Sequence, residues 1–519
     1  MPRLVPLLAF LSLLATLPAT AQSRDDFRPA FTVVQINDVY RIDAVGNGTV
    51  GGLGRVATVI RQAGGRGRPP VVSMIAGDFI APSLESRYFA GRQMIDALNF
   101  LHERAPLLAV PGNHEFDERA PEMFQGAVAA SRFGWVGSNL ALRLPDSAVA
   151  RRISGDTLLT IGGMKVGVFA LTIIDAPRTY ASHDTAFVAE AERRIARLEG
   201  MGAEAIIGLT HLNMPDDQRV AALRRSHPRF VWIAGGHEHW LQREPLTDST
   251  ALITKGDANA RRIWRVTVGR AGGRAAVRAD SVVLDSTVAI DPAYRARVEK
   301  RWADSIRAKV PFFDQRIGTT TVALDGREET VRNEESNLGG WLADLMRGAF
   351  PDVPADIGVI NGGAIRVDDE FAGEIRWEHL ARTFGFPTRV ALVWLRGRDV
   401  RQTLLEHSVA AERGNGRFLQ VSGVSFAFDR RREPGARTSD VKVRQGDQWV
   451  PIDDAKVYVV AVPDYLYGGG DGYHFKDRAI MTIPPGPEMK LLAFDLLATT
   501  YANGQAIAPR VEGRIREER

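Results

Sequence analysis

The sequence predicts an α/β layered protein, on three observations. Short runs rich in Val, Ile, Leu and Phe recur along the first half, each the length of a buried strand. Gly/Pro-punctuated or helix-like segments separate them, and an acidic, amide or histidine residue stands directly after almost every run. The runs are 31–36, 71–75, 106–110, 166–171, 205–209 and 230–234, with 185–199 a helical stretch between them. Such sheets gather ligands in the crevice beyond the carboxyl ends of their strands, so residues that follow strands converge although far apart in sequence.

The residues so placed are Asp38, Asp78, Asn113, His114, Asp117, His211, His237 and His239. Residues 112–117 read Gly-Asn-His-Glu-Phe-Asp, and 235–239 read Gly-Gly-His-Glu-His, where two histidines in a tight turn can face neighbouring metals. Each member alone has a structural role open to it: Asp38 as a cap or turn former, His211 as a satisfied core histidine. Together they form the donor set of a dinuclear metal hydrolase. Two hard cations close together need shared carboxylate and imidazole ligands, and Asp78 is the natural bridge. Metals roughly 3.5–4 Å apart lower the pKa of a bridging water and clamp both oxygens of an in-line displacement at phosphorus. Phosphoester hydrolysis is therefore expected. His102, His183, His227, His379, His407 and His474 fall outside the pattern and take no ligand role.

At 519 residues, with 45% hydrophobic and 25% charged content, the chain is too long for one core. Length alone suggests about three domains, whereas the motifs favour two large ones. Arg3, the apolar stretch 4–17 and the small-residue site Ala19-Thr20-Ala21 read as a secretory signal over 1–21, too short for the ~20 residues of a spanning helix. With no cysteine there is neither a lipoprotein attachment site nor a disulfide, and an exported protein of this kind suits a bacterial periplasm or exterior, with no membrane anchor after cleavage. The net charge of +4 comes from arginines spread along both halves. Without a basic stripe interleaved with aromatics, nucleic acid is not an expected partner, and a soluble anionic substrate fits better.

In the second half, 291–310 is charged and helix-favouring, with Tyr294, Val298 and Trp302 on one face, as expected of an interdomain helix. A strand is expected at 319–324, and Arg332-Asn333-Glu334-Glu335-Ser336-Asn337-Leu338-Gly339 leads into a helix through Leu345. Asn361-Gly362-Gly363-Ala364-Ile365-Arg366 follows the run 357–360; glycines there let backbone approach a ligand, and an arginine fork can grip phosphate or carboxylate.

These motifs resemble those of the calcineurin-like metallophosphatases of the 5′-nucleotidase family, over nearly all of the mature chain. The resemblance implies an N-terminal four-layer α/β-β/α metallophosphatase sandwich at 30–285, a linker helix at 286–315 and a second α/β, substrate-binding domain at 316–519. It assigns Asp38, Asp78 and His239 to one metal, and Asp78, Asn113, His211 and His237 to the other, with His114 and Asp117 as the catalytic pair. Arg332, Asn361 and Arg366 match residues that bind the nucleotide or its phosphate. Phe384-Gly385-Phe386-Pro387 and the segment from Tyr465 to Gly472 match an aromatic clamp, giving Phe386 and Tyr465 to the base and Asp471 to the ribose hydroxyls. The family's first motif usually reads Asn-Asp-x-His; here Asn37-Asp38-Val39 is followed by Tyr40, as in an Asn-Asp-Val-Tyr branch. A phenol, with a free pKa near ~10, is a poor ligand until ionised, so Tyr40 either binds a strong Lewis acid as phenolate or leaves one metal weakly held.

The expected function is an exported phosphohydrolase acting on nucleoside 5′-phosphates by attack of a metal-bridging hydroxide, with two divalent ions drawn from Mn, Zn, Co, Ca or Fe. The alternatives are a 2′,3′-cyclic nucleotide or nucleotide-sugar hydrolase, a sulfur-ester hydrolase, or a nucleotide-binding protein weakened in catalysis by Tyr40. Nothing in the sequence specifies the oligomeric state.

Overall fold

The computed structural model describes residues 26–175 and 178–518; the expected signal segment 1–21 lies outside them. Two sheets face each other in the N-terminal domain. The first runs, in spatial order, Arg274–Val283, Arg262–Ala271, Arg28–Ile36, Val71–Ala76, Leu107–Val110, Gly134–Val136 and Ile153–Ser154. The second runs Gln242–Glu244, Leu252–Lys255, Phe230–Gly235, Ala205–His211, Met164–Thr172 and Asp156–Ile161.

Every residue of Ala205–His211 and of Phe230–Gly235 is buried, which is why these strands read as continuous apolar runs. Successive side chains along each strand enter opposite layers. Val33 meets Val168, Ile207 and Trp232 in the core between the sheets, while Val34 and Ile36 enter the core beneath helices Leu53–Ala63 and Arg92–His102. Helix Phe187–Gly200 covers the other sheet with Phe187, Ala191, Ile195 and Leu198, spaced as one helical face. The result is the expected helix–sheet–sheet–helix sandwich.

The central strands are parallel: Arg28–Ile36 with Val71–Ala76 and Leu107–Val110, and Met164–Thr172 with Ala205–His211 and Phe230–Gly235. Their carboxyl ends therefore emerge along shared edges. One run is longer than expected, because strand Ala205–His211 continues to His211 and makes that histidine its last residue.

Asp291 caps the linker, its carboxylate accepting the Ala293 and Tyr294 amides at 3.0 and 3.1 Å. Helical backbone then continues from Pro292 to Lys309, with one wide π turn at Arg295–Glu299. Tyr294, Val298 and Trp302 sink into the N-terminal domain's core. Farther on, Ile306, Val310 and Phe313 pack with Leu84 of that domain and Ala381 of the next. The linker is thus fastened to the first domain along its length and bridges both at its end.

The C-terminal domain holds a five-stranded sheet, Leu419–Ser422, Ile357–Asn361, Val457–Pro463, Val390–Arg396 and Thr482–Ile483, beside a four-stranded one. Helix Asn337–Arg347, capped by Ser336, packs on Ile357–Asn361 through Leu338, Leu342 and Met346. That strand carries Asn361 to the interdomain cleft.

Candidate active site

Asp38, Asp78, His237 and His239 all have left-handed backbone, with φ of 52°, 56°, 91° and 69°. Non-glycine residues seldom adopt it, and strained backbone of this kind costs on the order of 1–3 kcal/mol per residue, least for Asp. Each sits in a turn off a strand end, and together the turns bring carboxylates and imidazoles into one pocket. Crowding there leaves no room for a Cβ at Gly112, which would collide with Asp78 Oδ1.

Asp78 and its neighbours form one half of the pocket. Asp78 Oδ1 accepts the His114 amide at 2.9 Å, and its Oδ2 lies 3.3 Å from His211 Nε2. His211 uses Nδ1 on the Ala76 carbonyl at 2.7 Å, which aims Nε2 at the centre, 3.0 Å from Asn113 Oδ1 and 3.3 Å from His237 Nδ1. Asn113 donates its amide to Asp175 at 2.7 Å, turning its oxygen inward. Against the cost of burial, the His211 and His114 rings hold the Asp78 carboxyl well below the usual carboxylate range. Burial and the His211 ring push His237 well below its ordinary value, leaving a neutral imidazole.

Asp38 anchors the other half. Its Oδ2 accepts from Asn37 at 2.7 Å and from the His237 amide at 2.9 Å, whereas its Oδ1, fully buried, has no hydrogen-bond partner and lies 3.4 Å from His239 Nε2. Tyr40 also reaches this half: its hydroxyl donates to Asp78 Oδ2 at 3.2 Å and stands 2.9 Å from His239 Nε2. Burial, then Asp78 and Asp38, push the phenol well above its ordinary pKa, so in this environment Tyr40 is a neutral donor. Donor atoms of Asp38, Asp78 and His211 all lie within 4.8 Å of one another. An orphaned buried carboxylate oxygen and a set of acceptors outnumbering their protons fit divalent cations.

His114 Nδ1 pairs with Asp117 Oδ2 at 2.8 Å. Burial opposes it, but Asp117 and Asp78 raise the imidazole to about 9. Its Nε2 faces the cleft, 3.9 Å from Asp78 Oδ2 and 3.3 Å from Arg366 Nη2 of the other domain.

Around Arg366 the C-terminal domain closes the site. The guanidinium carbon stands 5.2 Å from the Tyr40 ring centre and 5.3 Å from that of Phe386, and its Nε is buried without a partner. Phe386 lies 6.0 Å from the His114 ring, while Phe384 is buried in the domain's core. Asn361 donates to Asp471 at 3.0 Å, as does the Tyr465 hydroxyl at 3.1 Å, and the Tyr465 side chain is half exposed. Arg332 is engaged otherwise: it forms an ion pair with Glu328 and donates to the Gly414 carbonyl at 3.2 Å.

Three residues, two buried and one half-buried, escaped the sequence reading. Glu115 accepts the amides of Asp78, Phe79, Ile80 and Gly112, tying the turns after two strands together. Lys255 lies with its Nζ 2.8 Å from Asp217 and 2.7 Å from the Leu212 carbonyl, and paired with Glu238, which pins the turn that carries both His237 and His239. Glu328 hydrogen-bonds His239. The available signals were an acid inside Gly-Asn-His-Glu-Phe-Asp and a lysine ending the apolar run 252–255.

The family model of calcineurin-like phosphoesterases matches residues 31–241, and that of the 5′-nucleotidase C-terminal domain matches 316–477. A snake venom 5′-nucleotidase of Gloydius brevicauda is 27% identical over 93% of this chain and 88% of its own. The 5′-nucleotidase of Rattus norvegicus is 27% identical over 98% and 93%. The crystal structure of a 5′-nucleotidase precursor from Thermus thermophilus shares the fold with a TM-score of 0.76 at 23% identity, covering 94% of this chain and 99% of that one. With both domain types matched in order and the relatives aligned along nearly the whole length, the chain belongs to the 5′-nucleotidase family, calcineurin-like phosphoesterases that hydrolyse phosphoester bonds.

Proposed function

We propose that the protein is an exported, two-metal phosphohydrolase that releases phosphate from nucleoside 5′-phosphates. One observation carries this reading. Arg366 and Phe386 of the second domain stand directly over His114 of the first, so a phosphate-gripping fork and a flat apolar surface face the catalytic imidazole.

Asp38, Asp78 and His239 would hold one metal, with the neutral Tyr40 hydroxyl beside it, and Asp78, Asn113, His211 and His237 the other. When bound, the metals supply Lewis acidity that activates water and neutralises phosphoryl oxygens. Arg366 orients the phosphoryl group through its planar fork. As water attacks phosphorus and the ester P–O bond breaks, His114 gives its Nε2 proton to the leaving alkoxide, held in the correct tautomer by Asp117. The Phe386 and Tyr465 rings would flank the base and Asp471 would accept from the ribose, with Asn361 fixing that carboxylate. Export is the reading of residues 1–21; among the described residues no helix is long and apolar enough to cross a membrane.

Phosphate release should be measured across nucleoside 5′-monophosphates, 2′,3′-cyclic nucleotides, nucleotide sugars and a small aryl phosphate, with Mn²⁺, Zn²⁺, Co²⁺, Ca²⁺ or Fe returned to chelator-stripped protein. His114→Ala should lower kcat by ~10²-fold or more at unchanged metal content. Phe386→Ala or Tyr465→Ala should weaken nucleotide binding by ~1–3 kcal/mol and spare the aryl phosphate. Equal losses on both substrates would remove the clamp from the reading.

A further inference from the structure

Glu328 opens the short helix Glu328–Val331 of the C-terminal domain, and its side chain is largely buried against the other domain. Its Oε1 accepts the Nδ1 proton of His239 at 2.7 Å. That bond fixes the ring so that Nε2 points at Asp38 Oδ1, 3.4 Å away, on the metal side. A carboxylate behind a metal-binding histidine sets the tautomer and strengthens the nitrogen as a donor, and its loss typically costs 10–100-fold in metal affinity.

Glu328 is itself held in place from both sides of the boundary. Its amide donates to Asp368 Oδ1 at 2.9 Å, and Asp368 accepts from Asn259 of the first domain at 2.8 Å and pairs with Arg261. Asn259 in turn donates its amide to the Asp38 carbonyl at 2.8 Å and accepts the Tyr40 amide at 3.1 Å. On the cleft side, Arg332 forms an ion pair with the same Glu328 oxygen.

We propose that Glu328 is a positioning residue for the first metal, supplied across the domain boundary, so that this metal is held tightly only while the two domains are docked. The inference rests on the two-metal reading above and adds to it an asymmetry: the first metal responds to the C-terminal domain and the second does not.

The test is calorimetric titration of Mn²⁺ into chelator-stripped full-length protein, paired with metal content by mass spectrometry after gel filtration. Wild type should bind two equivalents. Glu328→Ala should weaken one of them ~10–100-fold and leave the other within about twofold. Glu328→Gln keeps the bulk and a carbonyl acceptor, so its loss should be smaller, and it serves if the alanine variant folds poorly. Glu329→Ala removes the same charge one residue away from an exposed side chain and should change neither equivalent. Two equivalents weakened together, or neither weakened, would overturn the role of Glu328 while the two-metal reading stands. Fewer than two equivalents in wild type would overturn that reading, and the proposed asymmetry with it.

Discussion

The two halves of the proposed metal pocket share Asp78 and each draw on an imidazole, but they are braced in different ways. Around Asn113, His211 and His237 the outer partners come from the N-terminal domain: the Ala76 carbonyl on His211, Asp175 on Asn113, and Lys255 pinning through Glu238 the turn that His237 shares with His239. Around Asp38, Tyr40 and His239 the outer partners run through Asn259 to Asp368 and Glu328 of the C-terminal domain. One half is thus a product of a single domain's sheet edges, while the other is completed by contact between domains. The cleft side of the C-terminal domain therefore does more than present substrate groups. It also finishes the wall on which half of the metal pocket rests.

The largest effect that would sharpen this contrast is expected inside the first domain. Lys255→Met leaves Asp217 and Glu238 buried without their cation, and breaking a buried ion pair by removing one partner costs ~3–5 kcal/mol. Thermal unfolding at neutral pH should show a large drop in Tm. Addition of nucleotide should not restore it, because the damage lies beneath the strands. An unchanged Tm would show that the turn at 235–239 holds itself, and the one-domain account of the second half would fail.

A smaller loss is expected from Asp368→Ala. It strips the acceptor from Asn259 and from the Glu328 amide and the nearer carboxylate from Arg261, which keeps Glu329 at 3.8 Å, and leaving a buried donor unsatisfied costs ~1–3 kcal/mol. That energy should appear as looser docking of the domains: a larger radius of gyration by small-angle scattering, with the N-terminal domain's own unfolding little changed. A compact variant with a destabilised N-terminal domain would instead make Asp368 a brace of one domain, and the contrast would collapse.

Legibility separates the candidate ligands of both halves from the residues that brace them. The candidate ligands were readable because they stand at the ends of apolar runs, where strand period and turn residues signal position. Asp38, Asp78, His211, His237 and His239 all lie where those runs end. Glu328 and Asp368 carry no such mark: one opens a four-residue helix and the other sits in a loop, and the importance of each comes from docking against residues some 90 to 110 positions away. Lys255 was hidden for another reason. A lysine closing a strand normally reaches solvent, and only the fold reveals that Asp217 and Glu238 are buried around it. Tyr40 was visible as a departure, but the burial and the Asp78 carboxylate that, with nearby Asp38, keep it a phenol come together only in three dimensions.

The subtlest effect is electrostatic and sits where the two regions meet. In metal-free protein the His114 imidazole is raised to about 9: burial lowers it, Asp117 and Asp78 of its own domain more than reverse that, and Arg366 of the other domain pulls it part of the way back. The folded value lies above the ordinary value near 6.5, so the stabilisation from this proton is complete below about 6.5 and is lost as the pH rises through about 9. Histidine-labelled NMR on chelator-stripped protein should therefore find the His114 imidazole titrating well above its ordinary value, as does that of His211, which Asp78 raises to about 10 against the cost of burial. Asp117→Asn should move the His114 midpoint down, and Arg366→Ala should move it up. The second shift is the informative one, because Arg366 acts on His114 only if the domains are docked in solution as they are here. A raised midpoint that ignores Arg366→Ala would mean that the cleft stands open without ligand. The contacts that complete the first half of the pocket would then form only when substrate closes it.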